Sequence, residues 1–176
     1  MSSPTVDRPA RWRPSRVVVT VVVVAMVAMW GYVLYLAFGP GRQPPPDRLD
    51  DPAFAVAAQA RCDAALDVVA TLPAATESAT PDDRADVVEA ANEIFTAMLD
   101  DLAELAPDGE DGELVEEWLA DWRTYVQDRA EYADAIRADP EAQLLVSAKD
   151  REQITEYLDA FAADNRMIAC ATPIDV

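Results

Sequence analysis

"EEWLADWRTYVQDRAEY", residues 116–132, is the stretch on which the fold turns. Trp118, Trp122, Tyr125, Arg129 and Tyr132 recur at alternating spacings of four and three, which places them on one face of a helix. Leu114 or Val115 extends the stripe backward and Ile136 forward. A helix is therefore expected from about Glu113 to Ala138, with Asp139-Pro140 as its stop. An aromatic stripe at this period is ordinarily core, the polar tips of its rings finding partners. The alternative makes the same five residues a candidate interaction face, an exposed aromatic surface that docks a partner. Arg129 on such a stripe calls for a polar partner. Asp128 points elsewhere, and Asp164 and Asn165 on the last helix are the candidates.

Upstream, Phe54, Ala58, Cys62, Ala65, Val69 and Leu72 mark one face of a first amphipathic helix. Asp51-Pro52 supplies its cap and first residue, and Pro73 ends it. Thr80-Pro81-Asp82-Asp83 opens a second helix with an oxygen-bearing cap, proline at the first position and acids in the first turn. Its stripe is Val87, Ala91, Ile94, Met98, Leu102 and Leu105, widened by Val88, Phe95 and Leu99. "PDGEDGE", 107–113, ends it as a flexible acidic turn. Downstream, "EAQLLVSA", 141–148, suits an extended piece or a helical turn equally. Ser147, with Asp150 three residues on, reads as the capping-box start of a fourth helix whose face is Ile154, Tyr157, Leu158, Phe161 and Ala162. Outside an apolar segment near the start of the chain, alternating strand-like runs are nearly absent. Four helices of about 20 residues with short loops suggest an all-α, antiparallel four-helix-bundle-like domain.

Charge divides the chain. In all, 33 acids stand against 14 bases, with no histidine and a single lysine, Lys149. Residues 1–16 carry Arg8, Arg11, Arg13 and Arg16 against Asp7; from residue 17 onward 10 bases face 32 acids, a net of −22. Between these regions lies "VVVTVVVVAMVAMWGYVLYLAF", residues 17–38, without a charge. A bilayer core takes about 20 apolar residues as helix. Trp30, Tyr32, Tyr35 and Phe38 would form an aromatic belt at one interface, and the arginines before the span predict a cytoplasmic N-terminus. A cleaved signal peptide is the rival, with Ala37-Phe38-Gly39 as a passable cleavage site, although its apolar core usually runs only about 7–15 residues. Either reading exports the acidic remainder of the chain. The expected organisation is a basic cytoplasmic tail (1–16), a transmembrane helix in the plasma membrane (17–38), a proline-rich spacer (39–51) and an acidic extracytoplasmic domain (52–176).

Exported thiols oxidise, so Cys62 and Cys170 are expected to pair within the chain. Two buried free thiols, or a bond between chains, are the alternatives. Cys62 lies about 15 Å into its helix at 1.5 Å per residue, whereas the last helix should end near that helix's start. Either the tail after Asn165 folds back, or the first helix projects as a stalk; the stalk is preferred.

The absence of histidine removes the usual zinc ligand, the common general base, the Ser-His-Asp relay and the Glu-x-x-His motif of bundle di-iron sites. Bridged cysteines leave no thiolate, and nucleic acid would meet strong repulsion. Glu116, Glu117, Asp121 and Asp128 are conceivable as a carboxylate site for hydrolysis or calcium, but a solvated helix face explains them as well. "DGEDGE", 108–113, lacks the EF-hand spacing.

The basic tail, single span, proline-rich linker and acidic helical domain, with "WLADWRTYVQDRAEYA" (118–133), an earlier Cys and a closing "FAADNRMIACATP" (161–173), resemble a group of uncharacterised actinobacterial single-pass membrane proteins. The resemblance implies this architecture and brings no activity with it. The expectation is a non-enzymatic interaction or scaffold module at the cell envelope, without cofactor or metal, facing a protein, basic for preference, or a cell-wall component. The competing expectation is a binding protein or carboxylate-based enzyme for a divalent metal or small cationic ligand.

Overall fold

The computed structural model describes residues 16–39, 45–74 and 78–173. The expected tail before Arg16 and residues 40–44 of the expected spacer lie outside them. The chain divides into two units, Met1–Pro44 and Pro45–Val176.

The first unit holds α1, Arg16–Phe38, a 23-residue helix with no buried residue. At 1.5 Å per residue it is about 35 Å long, enough for a hydrocarbon core of about 30 Å. Among the described residues there is thus one helix long and apolar enough to cross a membrane, near the N-terminus. The Thr20 hydroxyl within it is satisfied internally: Oγ1 donates to the Arg16 carbonyl at 2.9 Å.

The second unit is mostly helical. Its elements are α2 (Ala53–Val69), α3 (Pro81–Glu104), α4 (Glu110–Ala138), a two-stranded hairpin of β1 (Ala148–Lys149) and β2 (Glu152–Gln153), α5 (Ile154–Asp164) and a 3-10 turn (Ile168–Cys170). α3 begins as its sequence dictates. The Thr80 hydroxyl accepts from the Asp83 N–H at 3.1 Å and the Asp83 carboxylate accepts from the Thr80 N–H at 3.1 Å, a reciprocal box behind Pro81.

α4 starts three residues earlier than expected, so most of the acidic stretch expected as a turn is helix. Gly109 adopts φ 80°, a conformation open to glycine, and the chain turns directly into helix at Glu110. Gly112 is buried, and a Cβ there would come within 2.2 Å of the Pro107 carbonyl oxygen. Glu110, Asp111 and Glu113 occupy the first turn, where the helix dipole favours acids. Asp111 also binds the lead-in to α2, its two carboxylate oxygens accepting from the N–H groups of Asp50 and Asp51 at 3.0 Å each.

The expected Ser147 cap is replaced by the hairpin. Ala148 pairs with Gln153 and Lys149 with Glu152. The two turn residues, Asp150 (φ 48°) and Arg151 (φ 78°), are left-handed. Two-residue hairpins need that backbone and usually signal it with Asn-Gly or Asp-Gly; Asp-Arg carries no such signal. α5 therefore begins only at Ile154 and is 11 residues long.

The core runs through all four helices of this unit. Trp118 stacks on Phe161 with centroids 5.3 Å apart and meets Phe54 and Trp122 edge-on; Trp122 packs on Phe95 and Tyr125. Leu99, Leu102, Val115, Leu119, Ile154 and Leu158 are among the aliphatic residues buried with them, and Val88 and Ile136 form a smaller cluster with Ala85 and Ala133. On α3 the stripe is rotated from its expected centre: Val88, Phe95 and Leu99 are buried, while Leu105 is exposed.

Cys62 and Cys170 are bonded, with Cα atoms 5.2 Å apart and both residues fully buried. The bond forms because the tail reverses, and the preferred stalk is corrected. At the end of α5 the Met167 N–H reaches the Ala162 carbonyl (2.9 Å) and the Arg166 N–H reaches Ala163 (3.1 Å). This is a Schellman termination, with Arg166 at φ 61° where glycine is usual. The turn buries Met167 and carries Cys170 back to the middle of α2.

Candidate functional site

Four of the five residues of the α4 stripe lie in the core and not on an exposed aromatic surface. Trp118, Trp122, Tyr125 and Arg129 are between 1% and 3% exposed; Tyr132 is half-buried. The physical reason is area. Rings of this size stabilise most when covered, and Phe54, Phe95 and Phe161 cover them.

Among the described residues Arg129 finds a partner on α3 and not on the last helix. Its Nε–H donates to the Asn92 Oδ1 at 2.7 Å, and its guanidinium lies over the rings of Phe95 (5.4 Å) and Tyr125 (5.8 Å). The signal for Asn92 is its spacing: it falls four residues after Val88 and three before Phe95, a polar residue on an apolar face. Asn165 serves a different purpose. Its Oδ1 accepts from the Leu49 N–H (2.8 Å) and its Nδ2 donates to the Asp47 carbonyl (2.9 Å), tying the start of the unit to the end of α5. Tyr132 accepts a hydrogen bond from Arg84, whose guanidinium also lies over its ring at 5.4 Å.

The four acids singled out on α4 separate into three environments. Asp128 is buried and bonds the hairpin's approach, accepting from the Ser147 N–H (2.7 Å) and Oγ–H (2.8 Å). Glu116 is exposed and lines a depression with Leu119 and Arg123. Glu117 and Asp121, one helical turn apart, converge on Lys149, whose Nζ donates to Glu117 Oε1 at 2.7 Å and to Asp121 Oδ2 at 2.6 Å. Among the described residues no three His, Cys, Asp or Glu side chains are arranged to hold a metal ion.

Lys149 therefore marks the candidate site. Its ammonium lies 5.4 Å from the centre of the Tyr157 ring. Burial alone would lower its pKa, and this is the largest single influence, but hydrogen bonds and attraction from Asp121 and Glu117 together outweigh it and hold the pKa above the usual lysine value. Beside it opens a cleft of about 190 Å³ walled by Leu114, Trp118, Tyr157 and Phe161 and edged by Asp47 and Asp150. The cleft offers carboxylate acceptors and aromatic surface, which suit cations.

A second charged cluster sits on the outer surface of α3 and α4. Arg137 grips Glu89 with both Nη groups (2.5 and 2.9 Å) and reaches Asp86 at 2.7 Å. The hydrogen bond from Arg137 lowers the Glu89 pKa, and its guanidinium is correspondingly held more firmly protonated. No family model, curated protein or solved structure matches this chain.

Proposed function

We propose that the chain is a single-pass plasma-membrane protein, its N-terminus cytoplasmic, whose acidic second unit works outside the cell as a non-enzymatic interaction or scaffold module of the envelope. The observation that carries this reading is the buried Cys62–Cys170 bond downstream of an apolar 23-residue helix. A bond of this kind persists where thiols are kept oxidised, and the arginines ahead of the helix favour a cytoplasmic start. The second unit is taken as a four-helix-bundle-like scaffold in which α2 to α5 share one core and the 3-10 turn closes α5 onto α2.

The partner in this reading is a basic protein, because the whole chain carries a net charge of −19 and such a surface repels acidic macromolecules. A cell-wall component is the other partner considered. The binding branch of the alternative, a small cationic ligand, is favoured by one observation, the meeting of Glu117, Asp121 and Tyr157 around an ammonium.

Crosslinking in intact cells tests the reading. A photoreactive residue at exposed Asp150 or Glu116 is expected to trap a specific envelope protein, with yield falling as salt is raised. Adducts formed only with cytoplasmic proteins would contradict it.

A further inference from the structure

Three elements of the second unit meet around one charge. β1 supplies the Lys149 ammonium, α4 supplies Glu117 and Asp121, and α5 supplies the Tyr157 ring. The two acceptors sit on separate side chains and each takes one N–H. That pattern suits a compact ammonium with rotatable donors better than a planar guanidinium fork. Leu114, Tyr157 and the edges of Trp118 and Phe161 also line the cleft, apolar surface against which an alkyl stem can lie. Among the described residues four carboxylates edge it, Asp47, Glu117, Asp121 and Asp150, against the one cation of Lys149. One lysine leaves the cleft negative, and a further cation is attracted to it. Its volume of about 190 Å³ lies below the roughly 300–1,000 Å³ typical of sites for drug-sized ligands, so the occupant is a side chain or a small amine.

The hairpin that delivers Lys149 is held against its own backbone preference. Asp150 and Arg151 are both left-handed, which is unfavourable for residues bearing a Cβ. Contacts that hold it down include Ser147 on Asp128 and Lys149 on Glu117 and Asp121. A competing ammonium that takes Glu117 and Asp121 removes the last two.

We propose that this cleft recognises a primary alkylammonium group, such as a lysine side chain of a partner, and that Lys149 occupies it as a built-in competitor. The proposal rests on reading this unit as an interaction module and names the chemistry of its partner. Because it is tested on purified protein, its outcome does not depend on which side of the membrane the unit occupies.

Lys149 is the sole lysine, so full-length protein labelled with ¹⁵N-lysine and held in detergent micelles gives one lysine backbone amide resonance. Titration with n-butylammonium chloride is expected to shift it saturably, while sodium chloride at equal ionic strength and n-butanol leave it in place. By calorimetry, Lys149→Met protein is expected to bind n-butylammonium at least tenfold more tightly than the native protein, and adding Tyr157→Leu is expected to abolish the gain. N-acetyl-lysine-N-methylamide binding as well as n-butylammonium assigns the source to a protein side chain, and weaker binding of the amide assigns it to a free amine; both support the ammonium class. Absence of a saturable shift in the native protein overturns the proposal, and this reading stands even if Lys149→Met fails to fold. So does a cooperatively melting Lys149→Met protein that binds no more tightly than the native one.

Discussion

Two arginines eight positions apart on α4 live in opposite surroundings. Arg137 makes ionic contacts to Glu89, Asp86 and Asp134, all in reach of water. Arg129 donates to a neutral side chain, Asn92, and is 1% exposed between two aromatic rings. Solvation puts the buried arginine first, because water competes for exposed pairs and not for buried contacts. The same division holds across the unit: the aromatic core and the crosslink are buried, and most of its charges face water.

The largest effect expected from altering this division is removal of the crosslink. Cys62 and Cys170 are 108 positions apart, and the chain-entropy model assigns roughly 4–5 kcal/mol to closing a loop of that size. Cys170→Ser should lower the denaturant midpoint of the purified protein accordingly, and reducing agent should do the same to the native chain. An unchanged midpoint would show that the crosslink does not staple the unit.

Arg129→Ala comes next. It strands the Asn92 carbonyl oxygen and empties the space between Phe95 and Tyr125, at a cost of about 2–4 kcal/mol. Arg129→Met, which keeps the stem, should cost less. Equal melting temperatures for Arg129→Ala and Arg137→Ala would sink the comparison of buried with exposed arginine.

Lys149→Met is expected to change stability by less than about 1 kcal/mol, because the pair is partly exposed and screened. Its pH signature is distinctive. The folded-state pKa lies above the unfolded value near 10.4. The stabilisation is therefore complete below about pH 10 and is lost as pH rises through the folded pKa. A native-minus-variant difference in melting temperature that vanishes in alkali checks this.

Arg137→Ala should have the smallest effect on the melting temperature. Glu89 is shifted the other way, its folded pKa lying below the ordinary carboxylate value. What it contributes is present above about pH 4.5 and fades as pH falls through the folded pKa. Thermal melts of Glu89→Gln and the native protein should thus converge in acid.

Much of this fold is legible in periodicity and punctuation. Thr80-Pro81 with Asp83 marks a helix start by chemistry, and the structure places the reciprocal box there. The α2 face of Phe54, Ala58, Cys62 and Ala65 is buried as its spacing requires. What escapes reading are backbone turns made by residues that do not advertise them. Arg166 holds the left-handed position that reverses the tail, and Asp150 and Arg151 hold the two that make the hairpin. Glycine at any of these would have announced the turn; here tertiary contacts impose it. The site is half legible. Glu117 and Asp121 share a helix face by spacing alone, but Lys149 and Tyr157 join them only through the unanticipated hairpin and the late start of α5. Arg129's partner is easily missed because Asn92 is one polar residue on a stripe whose period is carried by apolar ones.

The central claim is that the disulfide-stapled acidic unit stands outside the membrane. Whole cells bearing the chain with a C-terminal epitope should be treated with external protease and analysed on gels with and without reductant. The predicted result is that protease removes the epitope from intact cells and that, without protease, mobility changes on reduction in native protein but not in Cys170→Ser. An epitope protected in intact cells and lost only after lysis, on a chain whose mobility ignores reductant, would contradict it.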